Sequence, residues 1–278
     1  MREGKEWIEA KDAEAGGEDK EAREGYELIY RRTPLLVTRN RYCPGCFHST
    51  IHKFLMEVVE ELDIQEKTIG VCPVGCSVFA YEYLDVDMQE AAHGRAAAVA
   101  TGIKRLHPDK VVFSYQGDGD LAAIGIAETL HACNRGENFT FVFINNGIYG
   151  MTGGQMAPTT LEGQKSTTSP YGRDIKTAGA PLKMCEIVSH FDAVAYVERV
   201  TCNTPANARK AKRALKKAFE YQIQGLGTTF IEVASNCPSQ WKCTPVQSLD
   251  WLKDKVYPYY QLGVFKEPGK EKTTAQGK

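Results

Sequence analysis

No stretch of this sequence approaches the roughly 18 uninterrupted apolar residues of a membrane span, and its beginning has no apolar core of a secretion leader. It also lacks an excess of charge: 34 Lys and Arg stand against 35 Asp and Glu, a net charge of -1. Long-range attraction to nucleic acid or to anionic lipid is thereby excluded. Internal repeats are missing too. A soluble, cytoplasmic protein with no nucleic-acid and no membrane partner is expected.

What is present is a chain of 278 residues, 42% of them hydrophobic, enough for a full-sized core without disulfides. The nine cysteines are therefore expected as thiols or metal ligands in a reducing compartment. Residues 1–25 carry 14 charged side chains and few apolar ones, so they read as a mobile charged arm. The stretch 266–278 reads as a flexible tail, which leaves 26–265 as the folded domain.

Within that domain two periodicities alternate. Ile51, Phe54, Leu55, Val58, Val59 and Leu62 fall at helical spacing, with Ser49 or Thr50 as a cap. An alanine-rich helix over Ala91 to Leu106 leads into the buried-type strand VVFSYQ. A helix over Leu121 to Cys133 then leads into the strand FTFVFI. A strand near Val194, a basic helix over Pro205 to Gln224 and the strand TTFIEVA follow. This order predicts an α/β fold, a doubly wound, mostly parallel sheet with helices on both faces and ligands at the carboxyl ends of the strands. Residues 146 to about 183 have neither period and are rich in Gly, Thr, Ser and Pro, as functional or disordered loops are.

VVFSYQ runs directly into Gly117-Asp118-Gly119-Asp120, and FTFVFI into Asn145-Asn146-Gly147. Glycine lets a turn approach a phosphate, the following helix offers free N–H groups, and Asp118 supplies a hard oxygen for Mg²⁺. Asn146, 28 positions later, adds an amide oxygen and Ile148 a carbonyl. The bland alternative is a pair of ordinary tight turns, which the same residues favour.

Cys43 and Cys46 share one turn, Cys72 and Cys76 lie on a later strand-to-loop passage, and Cys237 follows the last long strand. Thiolates from three segments suit tetrahedral zinc or an iron-sulfur cube. A second pair spaced CxxxC, with a distant fifth cysteine, tilts toward a cluster. Cys133, Cys185 and Cys202 read as buried free thiols. His48 and His52, four apart without an intervening HExxH glutamate, read as helix-surface residues. The basic run Arg209 to Arg213, with Lys216 and Lys217, reads as a solvated helix face; a ferredoxin-docking surface is the sharper alternative.

The runs RYCPGC, PVGCS, AAHGRAAAVATGIKR, YQGDGDLAAIG, NNGIYGMTGGQMAPTT, TTSPYGRD and EVASNCPSQW occur in this order over roughly residues 40–265. Together they resemble the beta subunit of 2-oxoacid:ferredoxin oxidoreductases. That resemblance implies a thiamine diphosphate-binding fold with Mg²⁺ and one 4Fe-4S cluster held by Cys43, Cys46, Cys76 and Cys237. Cys72 and Cys243 fall outside the pattern, and exchange of Cys72 for Cys76 or of Cys243 for Cys237 stays open. It further implies cofactor contacts from Gly75, Ser77, His93, Gly117, Asp118, Gly119, Asp120, Asn146, Ile148 and Gly150. His93 is the implied catalytic residue, facing the thiamine or substrate end.

The implied reaction is the coenzyme A-dependent oxidative decarboxylation of a 2-oxoacid, with electrons passing through the cluster to ferredoxin. 2-Oxoisovalerate is the favoured substrate, then 2-oxoglutarate, then pyruvate. The implied partners are an alpha subunit with the pyrimidine domain, and gamma and ferredoxin-like delta subunits. The active site is expected at a subunit interface that orders the 146–183 loop and the 266–278 tail. Two rivals are a non-redox thiamine enzyme with structural zinc and a metal-bound scaffold that binds no thiamine.

Overall fold

The computed structural model describes residues 32–269. The expected arm over 1–25 and the expected tail from 270 onward lie outside the described residues. Seven strands form the main sheet, in the order β2-β1-β3-β4-β8-β7-β9. They are β1 (Thr68–Pro73), β2 (Asp87–Ala91), β3 (Val111–Gly117), β4 (Thr140–Asn145), β7 (Val194–Val200), β8 (Thr228–Ala234) and β9 (Gly263–Lys266). All neighbours run parallel except β9, which pairs antiparallel with β7. A small hairpin of β5 (Ile148–Tyr149) and β6 (Gln155–Met156) stands apart.

Alternation along the central strands feeds two cores. Phe113, Tyr115, Val142 and Ile144 face the helices Phe47–Glu61 and Pro205–Ile223. Val112, Phe141 and Phe143 face the helices Ala96–Leu106 and Ile126–Arg135. Thr204 caps the long basic helix by accepting from Asn207 N–H, with Pro205 at its first position, as start signals of this kind require. Among the described residues no helix is long and apolar enough to cross a membrane.

Several boundaries differ from the sequence reading. The first helix begins at Phe47, so Ser49 sits inside its first turn and donates to Cys46 O at 3.2 Å instead of capping it. Ala91 ends β2, and the helix starts only at Ala96, because Gly94 adopts φ +76° and breaks the run. Lys266 belongs to β9 and its Nζ donates to Phe191 O at 2.6 Å, while Glu267 pairs with Lys217 at 2.6 Å. Ladder pairing and these contacts hold residues 266 and 267 to the folded domain. Lys212 and Lys216 likewise pair with Glu57 and Glu61 of the chain's own first helix.

The 146–183 segment is folded around one buried cation. Arg173 donates to the carbonyls of Ala157, Pro158 and Thr160 through Nη1, of Ala178 and Ala180 through Nη2, and of Gly179 through Nε. The chain thus orders this loop with its own guanidinium, where contact with a partner was expected. Arg173→Met strips donors from several carbonyls, each worth about 1–3 kcal/mol when left buried and unpaired. We expect faster hydrogen exchange and new protease cleavage confined to 157–182. Unchanged protection there contradicts this role.

Candidate functional site

Chain direction reverses beside β1: the next strand lies on one side of it and β3 on the other. Such a switch point opens a crevice at the carboxyl ends of the strands. One cavity of about 80 Å³ lies there, and all ten residues singled out as cofactor contacts line it, as does Cys76. His48, Val74, Tyr149, Met151 and Thr152 also line it.

Asp118 is buried, not a surface turn residue, because the loop after β4 folds over it. Its Oδ1 accepts from Gly119 N–H at 2.8 Å, and its Oδ2 from Ile148 N–H at 3.1 Å and Thr159 Oγ1 at 2.7 Å. Ile148 N–H is shared with Asn146 Oδ1 at 3.1 Å, which draws the Asp118 and Asn146 side chains around one residue. Burial pushes the Asp118 carboxyl up to about 6, against the lowering effect of these hydrogen bonds. The donors are all neutral, so the site is short of positive charge. Gly119 lies under the Tyr149 ring, where a Cβ would stand 2.2 Å from a ring carbon, and Tyr149 OH donates to Gly119 O at 3.2 Å. Nothing lies within 4 Å of where a Gly117 side chain would stand, leaving open space above that turn.

His93 sits in the turn after β2, and its Nδ1 meets Asp120 Oδ1 at 2.5 Å. Ser77 is buried, with Oγ donating to Pro73 O at 3.4 Å, and Gly75 beside it holds φ +118°.

The cysteines divide into groups. Ser239 Oγ donates to Cys43 Sγ at 3.1 Å, and Asn236 Nδ2 donates to Gly45 O at 3.0 Å, which fastens the CPGC turn to the exit of β8. Gly45 makes that approach possible: its φ is +79° and a Cβ would stand 2.5 Å from Pro245 Cβ. A Cβ on Gly150 would stand 3.4 Å from Cys237 Sγ and 3.6 Å from Cys76 Sγ, so those two thiols share the border of the cavity. Burial, with neighbouring cysteines of the same group adding to it, pushes the Cys46 and Cys237 thiols up to about 12 and Cys76 to about 11. Cys72 is fully buried in the sheet core, with Sγ directed at Val78 O at 3.6 Å. Cys243 lies in a separate cleft with Trp241 and Trp251. Cys133 and Cys185 are core residues, and Cys202 is half-buried.

His48 and His52 are buried, contrary to the surface reading. They share the stripe of Ile51, Leu55 and Val59 and pack with Tyr42, Tyr83 and Tyr115. His48 Nδ1 meets Tyr115 OH at 2.7 Å, and Tyr42 OH donates to Cys76 O at 2.9 Å. Burial lowers His48 to about 4 and His52 well below the usual range, so both are neutral. Thr159 and Tyr149 were not singled out in the sequence. Thr159 stands 41 positions from Asp118 in an irregular loop, where no local period marks it.

Residues 73–233, more than half of the chain, match the family described as thiamine pyrophosphate enzyme, C-terminal TPP binding domain. The chain belongs to this family. Its relatives within it are 2-oxoacid oxidoreductase subunits. It is 46% identical over 246 residues to the ketoisovalerate oxidoreductase subunit VorA of Methanothermobacter marburgensis, covering 88% of this chain and 52% of that protein. It is 36% identical to the 2-oxoglutarate synthase subunit KorB of Archaeoglobus fulgidus, covering 86% of this chain and 88% of that one. The chain thus spans about half the length of the ketoisovalerate relatives it matches. A solved 2-oxoglutarate:ferredoxin oxidoreductase from Magnetococcus marinus, with 2-oxoglutarate, coenzyme A and succinyl-CoA bound, shares the fold. Its TM-score is 0.70 at 24% identity, over 84% of each chain.

The site fits the thiamine pyrophosphate that this family's domain binds. An open space above Gly117, glycine turns at two adjacent strand ends and a buried carboxylate met by neutral donors form a cradle that its diphosphate end would fit.

Proposed function

We propose that this chain is the beta subunit of a cytoplasmic 2-oxoacid:ferredoxin oxidoreductase. In this reading Asp118, Asn146 and the Ile148 carbonyl hold Mg²⁺, and the turn from Gly117 to Gly119 receives the diphosphate. The observation that carries it is the buried Asp118 carboxylate at the switch point, whose hydrogen-bond donors are the neutral Gly119 N–H, Ile148 N–H and Thr159 Oγ1. When bound, thiamine diphosphate supplies the carbon nucleophile that 2-oxoacid decarboxylation needs. Gly75, Ser77, His93, Asp120 and Gly150 line the remainder of the cavity, and in this reading His93 faces the thiamine or substrate end.

Cys43, Cys46, Cys76 and Cys237 are the proposed ligands of one 4Fe-4S cluster, bordering the cofactor cavity at Gly150. Among the described residues, no three Cys, His, Asp or Glu side chains converge at single-ion distance. A cube differs from a single ion in that each thiolate binds a separate iron at its own corner, so its ligands stand further apart. Burial makes Cys46, Cys76 and Cys237 hold their protons strongly, and metal must replace those protons.

The cavity volume of about 80 Å³ is well below the roughly 300–1,000 Å³ that encloses a whole ligand of this size. This supports a site completed by another chain: an alpha subunit with the pyrimidine domain, joined by gamma and ferredoxin-like delta subunits. We expect the purified chain alone to turn over no 2-oxoacid. Coenzyme A-dependent ferredoxin reduction by the isolated chain contradicts that expectation. Higher identity to the ketoisovalerate subunit than to the 2-oxoglutarate one favours 2-oxoisovalerate as substrate. Assay of the complex against 2-oxoisovalerate, 2-oxoglutarate and pyruvate tests this, with the largest kcat/KM expected for the branched acid. Absence of oxidation with all three overturns the reading.

A further inference from the structure

We propose that Asp120 is the positioning residue of His93 and not a cofactor ligand, and that the pair presents a bare imidazole Nε2 to the cavity as a proton acceptor. The inference deepens the proposed function and rests on it for what fills the cavity, but not for the pair itself.

Protein donors already occupy the Asp120 carboxylate. Its Oδ1 lies 2.5 Å from His93 Nδ1 and accepts from Gly94 N–H at 2.5 Å, and its Oδ2 accepts from Gln116 Nε2 at 2.6 Å. Gly94 N–H and Gln116 Nε2 already point at its two oxygens, so the carboxyl meets His93 as an acceptor and the proton of that bond is assigned to Nδ1. A neutral imidazole in that tautomer carries its lone pair on Nε2. The Asp120 side chain is 1% exposed and that of His93 29%, so a ligand entering the cavity reaches the imidazole.

Glycine presses the two supporting turns together. A Cβ on Gly94 would stand 2.6 Å from Ile124 Cγ2 and 2.8 Å from Gly125 N, and one on Gly125 would stand 2.7 Å from Gly94 O and 2.8 Å from Asp120 O. A side chain at either position would force apart the turn bearing His93 and the turn bearing Asp120. The segment Asp120–Ile124 is itself a π turn, closed by Gly125 N–H donating to Asp120 O at 2.7 Å, a device that recurs at functional sites.

Held this way, His93 takes a proton at Nε2 from an acidic O–H, N–H or S–H of the bound ligand. The new N–H bond forms as the donor's bond to hydrogen breaks, and the electron pair stays on the donor. Asp120 remains a carboxylate and stabilises the imidazolium. Return of the proton is the reverse step.

Gln116 Oε1 is buried without a partner, which makes Asp120→Asn a gentle test. A flip of the Gln116 amide turns Oε1 toward the new NH₂ and leaves the Asn oxygen facing His93 and Gly94. The full chain is labelled with ¹⁵N at histidine, and His93→Gln assigns the signal. Thiamine diphosphate affinity with Mg²⁺ is measured in parallel. Wild type and Asp120→Asn are expected to show the Nδ1–H tautomer, and Asp120→Ala a mixture, with cofactor affinity unchanged in all three. In the assembled complex kcat should fall by about a hundredfold or more in Asp120→Ala. An Nε2–H tautomer in wild type overturns the proposal. So does an unchanged tautomer in Asp120→Ala together with weakened cofactor affinity, which returns Asp120 to the cofactor. If Asp120→Ala does not fold, a smaller loss of kcat in Asp120→Asn at unchanged cofactor affinity supports the pair, and loss of that affinity overturns it. A wild-type chain that binds no thiamine diphosphate defeats the functional reading instead, and leaves the tautomer result standing.

Discussion

Asp118→Asn is expected to weaken magnesium-dependent thiamine diphosphate binding by about a hundredfold or more, since even outer partners of a metal cost roughly 10–100-fold. Asn suits this test better than Ala. Asp118 is buried and accepts hydrogen bonds from Gly119, Ile148 and Thr159, so removing the side chain leaves those donors unpaired and loosens the loop as well. Asn keeps the shape and one oxygen, enough for Ile148 and Thr159 while only Gly119 N–H loses its acceptor, and removes the charge that attracts the cation. Unchanged affinity in a folded Asp118→Asn protein refutes the assignment. Thr159→Val, which removes only an outer donor, should cost less than Asp118→Asn, while Thr159→Ser should bind like wild type.

Replacing any one of Cys43, Cys46, Cys76 or Cys237 with Ser is expected to remove most of the bound iron and the broad visible absorption of the cluster. Cys72→Ser, Cys133→Ser and Cys185→Ser are expected to retain both. The partition follows from where each sulfur lies. Cys76 and Cys237 meet at Gly150, and Cys43 and Cys46 share a turn that Asn236 and Ser239 fasten beside Cys237. Cys72 is spent in the sheet core against Val78 O. Iron measured per chain decides the matter. Full iron in Cys76→Ser with loss in Cys72→Ser transfers that ligand to Cys72.

Central strands were legible because burial on both faces writes a continuous apolar run, as in VVFSYQ and FTFVFI, and those runs end in the glycine turns of the site. β2 escaped notice because DMQEA is a polar edge strand, and β9 because four residues carry little pattern. The residues expected at the cofactor converge on one cavity, since neighbouring parallel strands must end together. Burial was harder to read. An aspartate between glycines and two histidines on a helix look solvated until long-range packing is known: the 146–183 loop covers Asp118, and the tyrosines of β3 and the CPGC turn cover His48 and His52. Arg173 was unreadable for the same reason, as its acceptors are carbonyls, which carry no residue identity.

Calorimetric titration of the full chain with thiamine diphosphate, first with Mg²⁺ and then with EDTA, tests the central claim most directly. A cation held by Asp118, Asn146 and the Ile148 carbonyl predicts saturable binding of one cofactor per chain that EDTA abolishes. Absence of binding with Mg²⁺ present, or binding that EDTA leaves untouched, contradicts it.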